Sequence, residues 1–240
     1  YRDAVIRAYF WQTFLGELGI QADQSTRIDE SLVRASFDQE EPDSVEPQIQ
    51  MLWAWFQAIH SNQVILVDKT VIDRFTDEFF AYYLVAIRKT NTRVQVEQLT
   101  ARADSDNFFL LLQLAFSMIE FGEKEKALEI LNVFPTKLPD DPVLHYVLAR
   151  AFALNHMLGE AICHLDAALS QYWHVTEWHE CMAGWAYEYE DNGKAALHLE
   201  VLHNQKQGNT SIGFLLTHCY LRDKRDRKST RLNSSHGKLS

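Results

Sequence analysis

The chain has 240 residues, of which 47% are hydrophobic, so it can bury a sizeable core and is not mostly disordered. Its 9 glycines and 5 prolines are too few for a turn-rich β protein. Its net charge of −10 argues against nucleic acid or anionic lipid as partners, because their negative groups require a basic surface.

The first hundred residues, 1–100, are predicted to form an N-terminal helical region. Apolar residues at three- and four-residue steps indicate helices over 3–18, 27–38, 45–60 and 69–89. We expect Gly19 to end the first helix and Asp68 to cap the last one. The residues expected to face the core in the first two helices are Ala4, Val5, Ala8, Tyr9, Phe14, Leu15, Leu18, Ile28, Leu32 and Ala35.

Two segments of this region are predicted to connect helices. The acidic stretch 38–44 contains a proline and indicates a loop. Residues 64–67 have the composition of a strand, but no neighbouring strand is predicted to pair with them. We therefore interpret them as a buried connector or a helix.

Downstream of this region, small and apolar residues recur at a constant period in five columns. Ala115, Ala149 and Ala183 form one column. The other four are Ala127, Ala161 and Ala195; Leu131, Leu165 and Leu199; Leu114, Leu148, Met182 and Leu216; and Met118, Phe152, Ala186 and Tyr220. Five columns in one register are hard to attribute to chance. A fixed period of about 34 residues, which we call the repeat length, is typical of a helical repeat.

Each repeat is predicted to be a helical hairpin. Its first helix carries apolar residues at three- and four-residue steps, a turn follows, and a second helix repeats the pattern. The turns are marked by Gly122, Gly159 and Gly193. The alanine columns are expected where the paired helices approach closely, because a larger side chain would force them apart.

This pattern resembles the tetratricopeptide repeat family, whose unit is a helix-turn-helix of about 34 residues. The resemblance covers about 108–222, within a predicted repeat domain over 101–226, and implies an all-α solenoid of helical hairpins. The predicted units are 108–141, 142–175, 176–209 and a partial unit over 210–226. The family often has a bulky aromatic residue near the start of the first helix, where this chain has Leu111, His145, His179 and Gly213.

The register fades at both ends of the repeat region. Upstream it extends only through Phe80, Ala81 and Leu84, so the N-terminal region is interpreted either as degenerate repeats or as a separate helical cap. Downstream, 227–240 contains basic residues but no acidic or aromatic residue, and it resembles a translated sequencing adapter. We expect this tail to be non-native and the last repeat to be cut short; the alternative is a native basic tail that binds an acidic partner.

The sequence offers only weak signals for chemistry. The richest cluster is 173–181, in which His174 and His179 are five residues apart and point in different directions on a helix, unlike the ligands of a helical zinc site. We interpret these histidines as packed or solvent-facing. No enzymatic activity, metal or cofactor is predicted.

The expected location is the cytoplasm. The three cysteines are far apart without paired spacing, so free thiols in a reducing compartment are expected rather than a disulfide framework. No apolar run reaches the length of about 18 residues that indicates a membrane span.

The family resemblance implies that the first helices line a concave surface that binds another polypeptide. The residues implied to face it are Phe109, Leu112, Phe116 and Ile119; Val143, Tyr146, Arg150 and Leu154; Glu177, Glu180, Tyr187 and Glu188; and Phe214, His218 and Arg222. They would form an apolar, aromatic floor beside an acidic wall, which suits an amphipathic or apolar segment carrying Lys or Arg. The alternative for Phe109, Leu112 and Phe116 is burial by the N-terminal helices.

The leading interpretation is a protein-binding scaffold, such as a bacterial-type cytoplasmic adaptor or secretion chaperone that binds an apolar segment of its client. Family members that hold a C-terminal carboxylate use Lys and Asn, whereas the matching positions here hold Leu112 and Phe116. Two alternatives stay open: a regulatory or assembly portion of a longer enzyme, and a structural subunit of a larger assembly. The predicted partner is a protein or peptide, not nucleic acid or a membrane.

Overall fold

The computed structural model describes residues 2–22, 27–37, 47–90, 102–132, 141–206 and 209–236. Within these ranges the protein is all-helical, with twelve α-helices and no β-strand. The chain forms two compact units, Tyr1–Pro139 and Asp140–Ser240. None of the described helices combines the length and the apolar character needed to cross a membrane.

Seven helices lie in the first unit. They are α1 (Arg2–Glu17), α2 (Glu30–Phe37), α3 (Pro47–Ser61), α4 (Lys69–Ile72), α5 (Asp77–Lys89), α6 (Phe108–Glu120) and α7 (Lys124–Leu131). α1 packs on α2 and α5, α3 packs on α5, α5 packs on α6, and α6 pairs with α7. Helix α5 is therefore the centre of this unit.

The second unit contains five helices. They are α8 (Pro142–Leu154), α9 (Leu158–Gln171), α10 (Thr176–Glu188), α11 (Asn192–Gln205) and α12 (Thr210–His236). Each of these helices packs on the next one in the chain. This sequential packing is consistent with a helical repeat.

The positions of the helices confirm the predicted period. The first helices of the repeats, α6, α8, α10 and α12, begin at residues 108, 142, 176 and 210, and the second helices, α7, α9 and α11, begin at 124, 158 and 192. Both series advance by one repeat length at each step. The alanines of both columns are buried, with Ala183 the most accessible at 4%. The structure therefore has the predicted hairpins, which we call the first (α6–α7), second (α8–α9) and third (α10–α11) hairpins.

The turns of the hairpins differ from the prediction. Gly122 lies in a turn with φ 80°, but Gly159 and Gly193 lie in the first turns of α9 and α11. The left-handed position of the second and third turns is taken by His156 (φ 60°) and Glu190 (φ 66°), each one repeat length after its predecessor. Backbone bonds across each turn, at 2.8–3.0 Å, close the same helix C-cap in all three hairpins, so the backbone and not the glycine is repeated.

Polar caps at one repeat position explain where most first helices begin. Asn107 accepts a hydrogen bond from Leu110 N at 3.0 Å, and Asp141 accepts one from Leu144 N at the same distance. Asn209 does the same for α12. Val175 stands at this position before α10 and makes no side-chain cap, because its apolar side chain has no hydrogen-bond acceptor; it is buried at 2% exposure instead. The sequence reading missed this column.

The first predicted helix is confirmed as α1. Of its predicted core residues, Val5, Tyr9, Phe14 and Leu18 are buried, Leu15 is half-buried, and Ala4 and Ala8 are exposed. Ile6 and Phe10 are buried as well, because α1 packs against two helices and buries a wider face than one stripe. Gly19 follows the helix with φ 81°, as predicted for its end.

The core face predicted for the second helix is wrong. α2 buries Val33, at 1% exposure, whereas Leu32 is 37% exposed and Ala35 is also exposed. Ile28 lies before the helix, where its backbone N–H and C=O both bond to the Gln12 side chain at 2.8 Å. These bonds to α1 set the rotation of α2, which the periodicity of an eight-residue helix cannot define.

The single helix predicted over 69–89 is two helices. Asp68 caps α4 by accepting from Thr70 N at 2.8 Å, and Thr76 caps α5 by accepting from Phe79 N at 3.3 Å. A second capping side chain so close to the first starts a new helix. The prediction had included only the Asp68 cap.

The connector predicted over 64–67 is not helical. Ile65 is buried at 7% exposure, but Val64 and Leu66 are 65% and 88% exposed, so the prediction of burial holds only for Ile65. The loop predicted over 38–44 lies outside the described residues.

Candidate protein-binding groove

The four groove residues predicted on α6, which include the buried Ile119, lie inside the first unit. Leu112 and Phe116 are 0% and 2% exposed, and Phe109 is half-buried. The Phe109 ring lies 5.0 Å from Trp11 and 5.8 Å from Tyr82 between ring centroids. The N-terminal helices thus cover this face of α6, and these residues do not line an open surface.

A buried polar cluster holds α6 in this position. The Arg88 side chain, on α5, is 4% exposed, and its Nε donates to Glu17 Oε2 on α1 at 3.0 Å. Its Nη1 donates to Ser117 Oγ on α6 at 2.6 Å, and Nη2 donates to Gln113 Oε1. The guanidinium lies 5.3 Å from the centre of the Phe116 ring. Arg88 therefore links three helices.

Sequence reasoning missed this cluster, although one signal was present. Gln113 and Ser117 are four residues apart in the otherwise apolar α6, so they lie on one face of it. Both are fully buried. Two polar residues on the buried face of a helix require polar partners, so the pair predicts a buried network, though not its members.

Two predicted groove residues on α8 take part in packing. Tyr146 is 3% exposed and stacks on Trp178 of α10 with 4.6 Å between ring centroids. Arg150 is half-buried, and its Nη1 donates to Tyr146 Oη at 3.4 Å. Burial raises the pKa of Tyr146 to about 12. Tyr146 is therefore a neutral core residue rather than a contact for a partner.

Predicted residues of α10 and α12 lie at or beside a groove between α10, α11 and α12. The groove has a volume of about 310 Å³. It is lined by Glu180, Ala183, Gly184 and Tyr187 of α10, Leu199, Leu202 and Lys206 from α11 and its end, and Asn209, Ile212 and Leu215 at the start of α12. Phe214 is next to the groove residue Leu215 and is 73% exposed. Of the residues predicted to line a groove, only Glu180 and Tyr187 line this one.

The walls of this groove are joined by polar contacts. Glu180 and Lys206 form an ion pair. Tyr187 Oη lies 3.2 Å from Nδ1 of His218, which holds α10 to α12. Glu177, three residues before Glu180, and Glu188, eight residues after it, are exposed on the same side of α10. The groove therefore has an apolar lining with one ion pair, and two further acidic side chains lie on α10 beside it.

Of the two histidines in the predicted cluster, His179 is packed in the core and His174 faces solvent. His179 is fully buried, and its Nε2 bonds to the backbone oxygen of Trp173 at 2.6 Å. His174 is exposed. Burial raises the pKa of the Cys181 thiol, which disfavours the reactive thiolate. Among the described residues, no three His, Cys, Asp or Glu side chains cluster in a way that could hold a metal ion.

Comparison with known proteins identifies no relative: no protein-family model, curated protein sequence or solved structure matches the chain.

Proposed function

We propose that the protein is a protein-binding scaffold of the tetratricopeptide type and that its groove between α10, α11 and α12 binds an amphipathic segment of a partner protein. The spacing of the helices at one repeat length supports the family assignment. The groove supports the binding mode, because an amphipathic helix commonly binds with its apolar face in a hydrophobic groove between helices.

The lining of the groove favours a peptide with apolar anchors. Ala183, Leu199, Leu202, Ile212 and Leu215 contribute the apolar part of the lining. A volume of about 310 Å³ holds a few apolar side chains from one face of a docked helix. The partner is therefore expected to present apolar residues at three- and four-residue steps.

The charges beside the groove favour a partner carrying Lys or Arg. Glu177 and Glu188 are exposed on the wall formed by α10, and the whole chain has a net charge of −10. Complementary charge increases the rate of association and disfavours acidic competitors. The single observation that carries the proposal is the apolar lining of this groove beside the acidic residues of α10.

The proposed setting is a reducing compartment such as the cytoplasm. Cys163, Cys181 and Cys219 are all free, which suits such a compartment. A bacterial-type adaptor or secretion chaperone would meet an unfolded client there. This role follows from the proposed groove and is tested through it.

The test uses Gly184, whose position allows the groove to be filled without disturbing the fold. A Cβ added at Gly184 meets nothing within 4 Å, and Gly184 lines the groove in the middle of α10. Gly184→Gln should stabilise α10, because Gly is the weaker helix former, while its side chain occupies the groove. A short helical peptide of Leu and Lys, with a fluorescent label, serves as the probe in an anisotropy titration. We expect the peptide to bind the wild-type chain and to bind Gly184→Gln with an affinity at least about tenfold lower.

Gly16→Gln is the matched control. Gly16 is also exposed in a helix and a Cβ there meets nothing within 4 Å, but it lies on α1 in the first unit. It should bind the peptide as the wild type does. A Leu and Glu peptide of equal length should bind more weakly than the Lys version. Equal binding by wild type and Gly184→Gln, or no binding by either peptide, would contradict the proposed groove.

A further inference from the structure

Two pairs of histidines lie at equivalent places in the second and third hairpins. His145 on α8 faces His164 on α9, with 2.9 Å between their Nδ1 atoms. His179 on α10 faces His198 on α11, with 2.7 Å between their Nδ1 atoms. Both members of the second pair follow those of the first by one repeat length, so the contact belongs to the repeat. We call them the first and second histidine pairs.

The hydrogen bonds of the second pair define where its protons lie. Nε2 of His179 is 2.6 Å from the backbone oxygen of Trp173, and a carbonyl oxygen can only accept. His179 Nε2 therefore carries a proton, and Nδ1 of the neutral ring is bare. The bond between the rings is then donated by Nδ1–H of His198 to Nδ1 of His179. This bond requires that at least one of the two Nδ1 atoms lacks a proton.

Burial makes protonation of these rings costly. His179 and His198 are 0% and 2% exposed, and the His164 ring stacks on Phe152 with 5.3 Å between ring centroids. Burial lowers the pKa of His164 and that of His179. The pKa of His198 is lowered to about 4, mainly by burial and to a smaller extent by repulsion from the positive charge that His179 carries when it is protonated.

The charged groups that act on these rings do not reverse this direction. Asp166 of α9 raises the pKa of His198, whereas Lys194 of α11 lowers it further. The His145 charge lowers the pKa of His164. The bond to the Trp173 oxygen raises the pKa of His179, but burial outweighs it. All three rings therefore favour the neutral form in the folded chain.

We propose that the two histidine pairs make the second and third hairpins acid-sensitive: neutral pairs join the two helices of each hairpin, and proton uptake separates them. Two Nδ1–H groups cannot face each other at 2.7 Å, so a doubly protonated pair loses its hydrogen bond and gains charge repulsion.

The direction of the pH effect follows from the unfolded chain. There the imidazoles are hydrated and take up a proton near their ordinary pKa of about 6.5. Because burial lowers the pKa in the folded chain, the unfolded chain binds more protons between these values. The stability that depends on neutral His198 is complete above about pH 6.5 and is lost as the pH falls towards about 4.

The first hairpin supplies an internal control. Its equivalent positions hold Leu111 and Ile130, which are 7% and 5% exposed. An apolar pair therefore fits this place in the hairpin, and it has no proton to take up.

The test compares the wild-type chain with His179→Leu/His198→Ile, which gives the third hairpin the residues of the first. Unfolding in urea is measured at pH 7.5 and pH 4.5. Between these values His198 alone should raise the unfolding equilibrium constant roughly 70-fold in the wild type. Carboxylates titrate in both chains and cancel in the comparison. We expect the variant to lose at least that part of the pH dependence, and an unchanged pH dependence would overturn the proposal.

A measurement on the wild type keeps the proposal testable if the double variant does not fold. Nitrogen-15 NMR of the imidazole rings reports the protonation of each nitrogen. At pH 7.5 we expect both rings of the second pair to be neutral, with the proton on Nε2 of His179 and on Nδ1 of His198. On acidification we expect each ring to take up a second proton only below its ordinary pKa of about 6.5. Uptake of protons by both rings near pH 6.5 in the folded chain would overturn the proposal.

Discussion

Helices α6 and α10 occupy the same place in their repeats, but α6 lies inside a core and α10 forms a wall of the groove. Leu112 and Phe116 of α6 are buried, whereas Glu180 and Gly184, at the equivalent positions of α10, are exposed. The face of α6 is covered by helices of the first unit, and the face of α10 is open. A repeated backbone therefore defines the hairpin, while the helices added around it decide whether a given face is core or binding surface.

The largest effect is expected where the covering of α6 is broken. Arg88→Met should cost about 3–5 kcal/mol in the free energy of unfolding, because it leaves the Glu17 carboxylate buried without its partner. Urea unfolding of the purified chain measures this loss. Glu17→Leu/Arg88→Met should recover most of it, since no buried charge then remains. A loss below about 1 kcal/mol for the single change would mean that Arg88 does not hold α6 in the core.

A smaller effect is expected at equivalent buried positions of α8 and α10. Ala149→Leu and Ala183→Leu should each cost about 1–3 kcal/mol through overpacking, because both alanines are buried where the paired helices meet. Thermal unfolding provides the measurement. Ala54→Leu, at an exposed position of α3, should cost little. Equal melting temperatures for all three variants would contradict the shared register.

The repeat was predictable because many residues recur in the same register. The Ala115, Ala149 and Ala183 column recurs in long helices whose apolar faces agree with it. The orientation of α2 was not predictable, because eight residues hold few apolar positions and bonds from Gln12 decide which of them faces the core.

The predicted groove residues were placed correctly on α10, whose face is open, but not on α6, whose face is covered by other helices. The placing of Glu180 and Tyr187 followed from the repeat register. The burial of Leu112 and Phe116 depends on contacts with α1 and α5, which no spacing within the repeat reveals. The histidine pairs had a signal that was not used, since the same spacing between two histidines occurs twice, one repeat length apart.

The smallest effect is expected in the turns, where the repeats share a backbone but differ in residue. Glu190→Gly should gain up to about 1 kcal/mol, because Glu190 is exposed and held at φ 66°, which costs an L-residue about 1–2 kcal/mol. Gly122→Ala should lose a similar amount, since Gly122 has φ 80°. Chemical denaturation compares the two.

Glu200→Gly is the control for the turn variants. Glu200 is exposed within α11 and accepts a hydrogen bond from the Tyr220 hydroxyl, so the same change there should destabilise the chain by at least about 1 kcal/mol. If Glu190→Gly were equally destabilising, the left-handed position would not be a shared feature of the hairpins.

The proposed binding surface is tested by mapping where a peptide binds on the folded chain. Nitrogen-15 amide spectra are recorded while the helical Leu and Lys peptide is added to the wild-type protein. We expect saturable shifts at Ala183, Gly184 and Leu215 around the groove, and none at Leu112 or Phe116 of α6. Shifts centred on α6, or shifts spread evenly over both units, would contradict the claim that α10, α11 and α12 form the binding surface.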